Sequence, residues 1–291
     1  MTENGPAERG RSLVVRTVSE LRERRAAIRR AEHRVGVVPT MGALHEGHLA
    51  LIRAAAEEND EVVVSIFVNP TQFNDAADLD AYPRTEDRDV ELAQAAGATL
   101  LFVPSAAEMY PAGFATSVHV GGVSERWEGA TRGASHFDGV ALVVTKLLVS
   151  VGADTAYFGQ KDAQQVAVVR RLAADLNLPT TITALPTVRD VDGLALSSRN
   201  ARLGTGDRET ALSLSRSLQR ARDLVAAGER DTARLEAEAR RILQDAGAAI
   251  EYWAIVDPAT FEPLAEVVAG ALGIVAARVG PVRLIDNAPL A

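Results

Sequence analysis

The chain has 291 residues, room for one large or two medium domains at roughly 100–200 residues each. Its 47% hydrophobic and 24% charged content is that of a globular protein and excludes wholesale disorder. The 39 acidic residues outnumber the 31 basic ones, a net charge of −8 that sets the molecule against nucleic acid and anionic membrane, and the lack of cysteine excludes disulfides, thiolate-bound zinc and a nucleophilic thiol.

Met1 to Arg11 is polar, has no apolar signal-peptide core and reads as a disordered tip. No run of 18 or more residues is free of charge and turn formers, so no membrane span is expected, and a reducing cytoplasm suits a cysteine-free chain. From Arg34 short apolar runs alternate with helical stretches. Strands are expected at Val35–Val38, Val62–Val68, Thr99–Val103, Ala156–Phe158 and Thr180–Leu185. Helices are expected at Leu49–Glu58, at Asp87–Ala96 with Gly97 as its stop, at Gly139–Val151 and at Asp162–Leu176. Near-continuous apolar strands separated by helices imply a doubly wound, Rossmann-like α/β domain built on a parallel sheet, taken as residues 1–187.

After Pro186 two amphipathic helices, Asp207–Ala227 and Asp231–Ala246, precede β-like runs at Glu251–Val256, Leu272–Ala277 and Val282–Ile285. That order suits a smaller C-terminal α+β domain over 188–291, read as a lid domain whose Asp190–Asn200 segment closes over a ligand about Gly193. From Arg189 onward 13 basic residues stand against 15 acidic ones, without the basic face of an RNA-binding appendage.

Four segments carry candidate chemistry. Pro39-Thr40-Met41-Gly42-Ala43-Leu44-His45-Glu46-Gly47-His48 follows the first strand of the pattern, where sheet ends and helix N-termini favour phosphate. His45 and His48, three apart at a helix start, share a face, and Gly47 leaves the backbone between them open to a ligand; the plain alternative is two surface histidines in a loop. Phe158-Gly159-Gln160-Lys161-Asp162-Ala163-Gln164-Gln165 repeats the strand-to-helix layout, with Asp162 as N-cap, Gln165 at N3 and Lys161 at the helix start. Lys161 is one of only two lysines, with Lys146, which points to a role that arginine does not fill; the alternative is a solvated lysine beside a capped helix. Asp190 to Asn200 offers Ser197, Ser198 and Arg199 as donors for a triphosphate, or is a polar linker. Phe67 to Phe73 places Asn69 and Gln72 at a strand end, where amides orient a small polar substrate or cap a turn, and the acidic residues after Tyr82 offer oxygen ligands for Mg²⁺ or simply suit a first helical turn.

Together these segments resemble the pantothenate synthetase (pantoate–β-alanine ligase) family of the nucleotidyltransferase superfamily with HIGH-type and KMSKS-type signatures. Pro39–His48 matches that family's P-T-M-G-A-L-H-E-G-H, Phe67–Phe73 its F-V-N-P-x-Q-F and Tyr82–Thr85 its Y-P-R-T. Phe158–Gln165 matches F-G-x-K-D-x-Q-Q, Asp192–Asn200 matches D-G-L-A-x-S-S-R-N, and the terminal Leu284–Asn287 also fits. The resemblance implies ATP-dependent ligation of pantoate and β-alanine through pantoyl adenylate, releasing AMP and pyrophosphate, with Mg²⁺, in a cytoplasmic homodimer formed through the N-terminal domain. By the family's pattern His45, His48, Lys161, Ser197, Ser198 and Arg199 are catalytic. ATP would be held by these together with Pro39, Met41, Gly47, Gly159, Asp162, Val188 and Leu196, pantoate by Met41, Gln72 and Gln165, and the metal by Asp89. Two departures stand out: Arg132-Gly133-Ala134-Ser135-His136-Phe137 replaces the family's R-P-x-H-F with one residue more and no proline, and Arg88 stands beside Asp89 where relatives carry an acid. A mononucleotide adenylyltransferase of the same superfamily and a non-catalytic nucleotide-binding protein are the competing readings.

Overall fold

The computed structural model describes residues 13–74 and 76–291; the Met1–Arg11 tip lies outside the described residues. Strand β1 (Leu13–Val15) and helix α1 (Val18–Arg30), neither of which the apolar pattern suggested, open the described chain. Helix α1 is started by a capping box in which Thr17 Oγ1 accepts the Glu20 N–H at 3.2 Å and Glu20 Oε2 accepts the Thr17 N–H at 2.9 Å. Then follow β2 (Val35–Thr40), α2 (Glu46–Glu58), β3 (Glu61–Ile66), α3 (Ala76–Asp80), α4 (Glu86–Ala96), β4 (Leu100–Phe102), α5 (Ala106–Met109), α6 (Glu128–Arg132) and α7 (Ala134–Val151). Next come β5 (Thr155–Gly159), α8 (Ala163–Asp175), β6 (Thr181–Leu185), α9 (Thr205–Ala226), α10 (Thr232–Asp245), β7 (Ala249–Val256), β8 (Leu272–Val279) and β9 (Val282–Pro289). Gly97 ends α4 at φ +111°, the left-handed conformation that makes glycine the natural stop there.

The chain divides into two compact units. The first holds the residues up to His119 with Asp138–Phe158 and Leu172–Leu185; the second holds Val120–Phe137, Gly159–Arg171 and Pro186–Ala291. The sequence reading drew a single cut after residue 187, whereas the second unit also takes two segments from the middle of the chain.

In the first unit six strands lie in the order β1-β4-β3-β2-β5-β6, with β2 parallel to both β3 and β5. Covered on both faces, the central strands are apolar throughout: Val37, Val38, Val62 and Val64 are fully buried, with Ile52 and Ala55 of α2 packed on one side. Successive strands run outward from β2 in one direction, through β3 to β4, and in the other through β5 to β6, so the strand order reverses at β2. The crevice outside the carboxyl end of such a strand is where doubly wound sheets bind ligands.

In the second unit β7-β8-β9 form an antiparallel sheet. Its inner face packs on α9 and α10 around fully buried Trp253, whose Nε1–H donates to Ser217 Oγ at 3.1 Å. Among the described residues no helix is long and apolar enough to cross a membrane.

Candidate functional site

In the first unit the segment leaving β2 turns sharply. Gly42 (φ +83°) and Ala43 (φ +50°) both adopt left-handed backbone, which for Ala43 is strained. Asp89 of α4 holds this turn: Oδ2 accepts the Ala43 N–H at 2.9 Å and Oδ1 the Leu44 N–H at 2.8 Å, while Thr85 Oγ1 donates to Oδ2 at 3.1 Å. Asp89 is 1% exposed. Expected as the metal acid, it is instead committed through both oxygens to the loop, and so does not fit a ligand for a hydrated cation.

The turn delivers His45 to the N-cap of α2. His45 Nδ1 accepts the Gly47 N–H at 3.2 Å, and His48 Nδ1 accepts the His45 N–H at 3.3 Å. The helix therefore begins three residues before the expected Leu49, because the first histidine caps it. A backbone N–H donates only to an unprotonated ring nitrogen, so both imidazoles carry their proton on Nε2. The rings lie 4.1 Å apart between centroids, tilted by 35°. Gly47 leaves room beneath them: a Cβ there would stand 3.0 Å from His45 Cε1, close enough that the ring would have to shift.

Beside this segment, Gln72 Nε2 lies 2.9 Å from Met41 Sδ, and Gln72 Oε1 accepts from Asn69 Nδ2 at 3.1 Å. Met41 and Gln72, both expected on pantoate, are thus neighbours. Asn69 is buried, taking Tyr110 O–H at 2.7 Å and Thr71 O–H at 2.9 Å while also donating to the Gly139 carbonyl at 3.1 Å. It holds Gln72 and also caps the 3₁₀ turn Pro70–Gln72, its Oδ1 accepting the Thr71 N–H at 3.3 Å, the turn-capping role that the sequence offered beside a substrate contact. Pro39 closes the set as a half-buried residue of β2. Lys146, the other lysine, is accounted for separately: its Nζ sits 4.8 Å from the Phe114 ring centroid and 5.7 Å from that of Tyr110.

The second unit carries the remaining expected residues. Gln160–Asp162 form a 3₁₀ turn entered from Gly159, and α8 begins at Ala163. Asp162 is thus part of that turn rather than the expected N-cap, and its Oδ1 lies 3.7 Å from Lys161 Nζ. A Cβ on Gly159 would meet nothing within 4 Å, so the surface there is open. Of the two successive glutamines, Gln164 is buried and structural, accepting from Glu128 N at 3.0 Å and donating to the carbonyls of Val123 and Arg126. Gln165, expected on pantoate, is half-buried.

Val188 and Leu196 face each other across a short hairpin, Leu196 N–H donating to Val188 O at 3.0 Å. Ser197 then caps a 3₁₀ turn over Ser198–Arg202, its Oγ accepting the Arg199 N–H at 3.3 Å. Lys161, Ser197 and Arg199 line one small cavity with Arg132, Arg283 and Asp286. The lining thus brings four cations and the carboxylates of Asp162 and Asp286 together beside the Ser197 hydroxyl.

Nothing in the local sequence pattern signals what fixes two of those cations. Glu128, nearly buried, accepts from Arg132 Nε at 2.8 Å, Arg283 at 2.8 and 2.6 Å and the Tyr252 hydroxyl at 2.7 Å. Arg283 also donates to Glu251 at 2.7 Å. Burial alone would push the Glu128 carboxyl up, but the hydrogen bonds of Arg283 and the charges of Arg132 and Arg283 override it and hold it at about 2. Burial and the same carboxylate push the Tyr252 phenol up. Arg132, whose surrounding motif departs from the family's, is thus anchored at the cavity wall, while the His136 ring lies 5.0 Å from that of Phe137.

An open Rossmann-like sheet with a histidine-capped helix at its switch strand defines an α/β enzyme fold of the nucleotide-binding kind. The chain belongs to the pantoate-β-alanine ligase family, whose profile matches residues 13–289, and it is accordingly a ligase. It is 52% identical over 274 residues to a pantothenate synthetase of Rhizorhabdus wittichii, covering 94% of this chain and 97% of that one. It is 53% identical over 279 residues to a pantothenate synthetase of Chelativorans, covering 96% and 98%. The fold matches the crystal structure of pantothenate synthetase from Thermus thermophilus with a TM-score of 0.90 at 48% identity, over 95% of this chain and 99% of that one. It matches a pantoate-β-alanine ligase from Francisella tularensis, complexed with β-γ ATP and β-alanine, with a TM-score of 0.80 at 33% identity, over 96% and 98%.

Proposed function

We propose that this chain joins pantoate to β-alanine at the expense of ATP in two steps. A pantoate carboxylate oxygen attacks the α-phosphorus, the bond to the pyrophosphate leaving group breaks, and pantoyl adenylate forms. The β-alanine amine then attacks the acyl carbon, expelling AMP and losing a proton as the amide forms. The observation that carries this reading is the His45–His48 pair, whose shared Nδ1 bonding to backbone leaves Nε2–H as the donor of each ring at the end of the switch strand. Two such donors suit charge that grows on phosphate oxygens during attack.

Lys161, Ser197, Ser198 and Arg199 act on the ATP phosphates, to which Lys161 and Arg199 bring positive charge. Pro39, Met41, Gly47, Gly159, Asp162, Val188 and Leu196 complete the ATP contacts, the last two as paired backbone and apolar walls for the base. Met41, Gln72 and Gln165 hold pantoate. Mg²⁺ enters as the counter-ion of ATP: with Asp89 engaged by the loop, and no cluster of three potential ligands among the described residues, no protein step is assigned to it. The cysteine-free composition suits a cytoplasmic enzyme, and the family resemblance supports a homodimer formed through the N-terminal region, which sedimentation at working concentration checks.

The test is the three-substrate reaction with each substrate omitted in turn, its products read by mass spectrometry. ATP and pantoate should release pyrophosphate, and β-alanine should be needed for AMP and pantothenate. A product that keeps the adenylyl group would mark an adenylyltransferase, and nucleotide binding without turnover a regulator.

A further inference from the structure

The cavity that holds Lys161, Ser197 and Arg199 also contains Asp286, from a strand otherwise given to packing. Asp286 and Asn287 are adjacent on β9, each 4% exposed, and alternation along the strand sends their side chains to opposite sides. Asp286 accepts both terminal nitrogens of Arg189, at 2.6 and 2.9 Å, and Arg189 donates in turn to the Gly193 carbonyl at 3.1 Å. That pair ties down the hairpin from which Ser197 and Arg199 emerge. Arg208 secures its tip through Asp190 at 2.6 Å and Asp192 at 2.8 Å.

Asn287 works on the other donor. Its Nδ2 gives one hydrogen bond to the Gln160 carbonyl and one to the Lys161 carbonyl, both at 2.9 Å. Its Oδ1 is buried with no hydrogen-bond partner among the described residues. A buried amide that leaves its acceptor unmet while spending both N–H groups on one 3₁₀ turn is kept for the donors. The two residues are joined to each other, because the Asn287 N–H donates to Asp286 Oδ1 at 2.8 Å.

We propose that Asp286 and Asn287 are positioning residues that fix the Lys161 turn against the Ser197–Arg199 turn, so that both donor sets meet one triphosphate in register; this rests on the ATP-ligase reading above. Neither touches the reacting atoms. Their effect runs through the placement of Lys161 and Arg199, for which displacements of about 1 Å or less matter.

The test is a double-mutant cycle on pantoate-dependent pyrophosphate release in the full-length protein, with Asn287→Ala, Lys161→Ala and the double variant. Asn287→Ala should lower kcat about tenfold while KM for β-alanine stays at the wild-type value. Added to Lys161→Ala, it should change kcat by less than about twofold, because the group it positions is gone. Equal losses in both backgrounds, or an undiminished kcat in the single variant, would overturn the proposal. Wild-type turnover in Lys161→Ala would instead sink the phosphate role of Lys161 itself, a different failure. Should circular dichroism show Asn287→Ala unfolded, Asn287→Ser, which retains one donor for one of the two carbonyls, runs the same cycle with the same deciding outcomes.

Discussion

His48 Nδ1 accepts the backbone N–H of His45 at 3.3 Å, so the second histidine of the pair holds the residue that caps the helix in place. The two rings thereby serve both as a helix cap and as a matched pair of Nε2–H donors, and the two duties separate by mutation. Asparagine is a good N-cap, so His45→Asn should keep stability to within about 1 kcal/mol in a denaturant titration. The same variant should lose about 100-fold in kcat/KM for ATP, since a preorganised donor to the phosphate is gone. Equal losses of stability and activity would mean the imidazole only caps.

Asp89 is predicted to act on the loop rather than on a metal. In Asp89→Asn an amide N–H₂ replaces one acceptor and faces a backbone donor, at a cost of about 1–3 kcal/mol in stability. Turnover should fall because the strained Ala43 backbone and the His45 cap shift together. The Mg²⁺ concentration at half-maximal rate should stay within about twofold of wild type, as expected where the cation travels with the nucleotide. A tenfold rise in that concentration would return Asp89 to the metal.

The two lysines should behave oppositely. Lys146 packs its ammonium over Phe114 and Tyr110. Lys146→Met should therefore cost about 0.5–1 kcal/mol of stability and leave kcat within about twofold. Lys161→Ala should fold normally and lose most of its turnover, and steady-state rates on the two purified variants decide the comparison.

The Glu128 network gives a pH dependence of stability with a defined sign. Its carboxyl sits at about 2 in the folded chain, held below the ordinary 4.5. A depressed carboxyl contributes stability that is present above the unfolded value and is lost as pH falls from about 4.5 through about 2. The loss is on the order of 3 kcal/mol across that window, read from denaturant midpoints between about pH 7 and pH 2. Glu128→Gln should flatten that dependence and lower stability throughout, since Arg283 and Arg132 lose their buried partner.

The parallel sheet was legible in the sequence because its strands are buried on both faces, so that Val35–Val38 and Val62–Val68 stand out as unbroken apolar runs. Strand β1 was not, since Leu13–Val15 is three residues long at the sheet edge, with Leu13 exposed. His45, His48 and Lys161 stand out in the sequence as candidates because rare residue types fall where strands turn into helices. The groups that place them do not. Asp89 reaches back 45 and 46 residues to the loop, Glu128 pairs with Arg283 across 155, and Asn287 meets Lys161 across 126. No local spacing encodes contacts of that range. The second unit's discontinuity has the same origin, because residues 120–137 and 159–171 join it through tertiary packing and not through composition.

The most direct test of the ligase account follows one oxygen atom. With pantoate labelled by ¹⁸O in its carboxylate, the reaction with ATP and β-alanine should deliver one labelled oxygen to the phosphate of AMP, since the attacking oxygen stays on phosphorus when the amine displaces it from carbon. Unlabelled AMP alongside labelled pyrophosphate or phosphate would place the attack at another phosphorus and contradict the pantoyl-adenylate route.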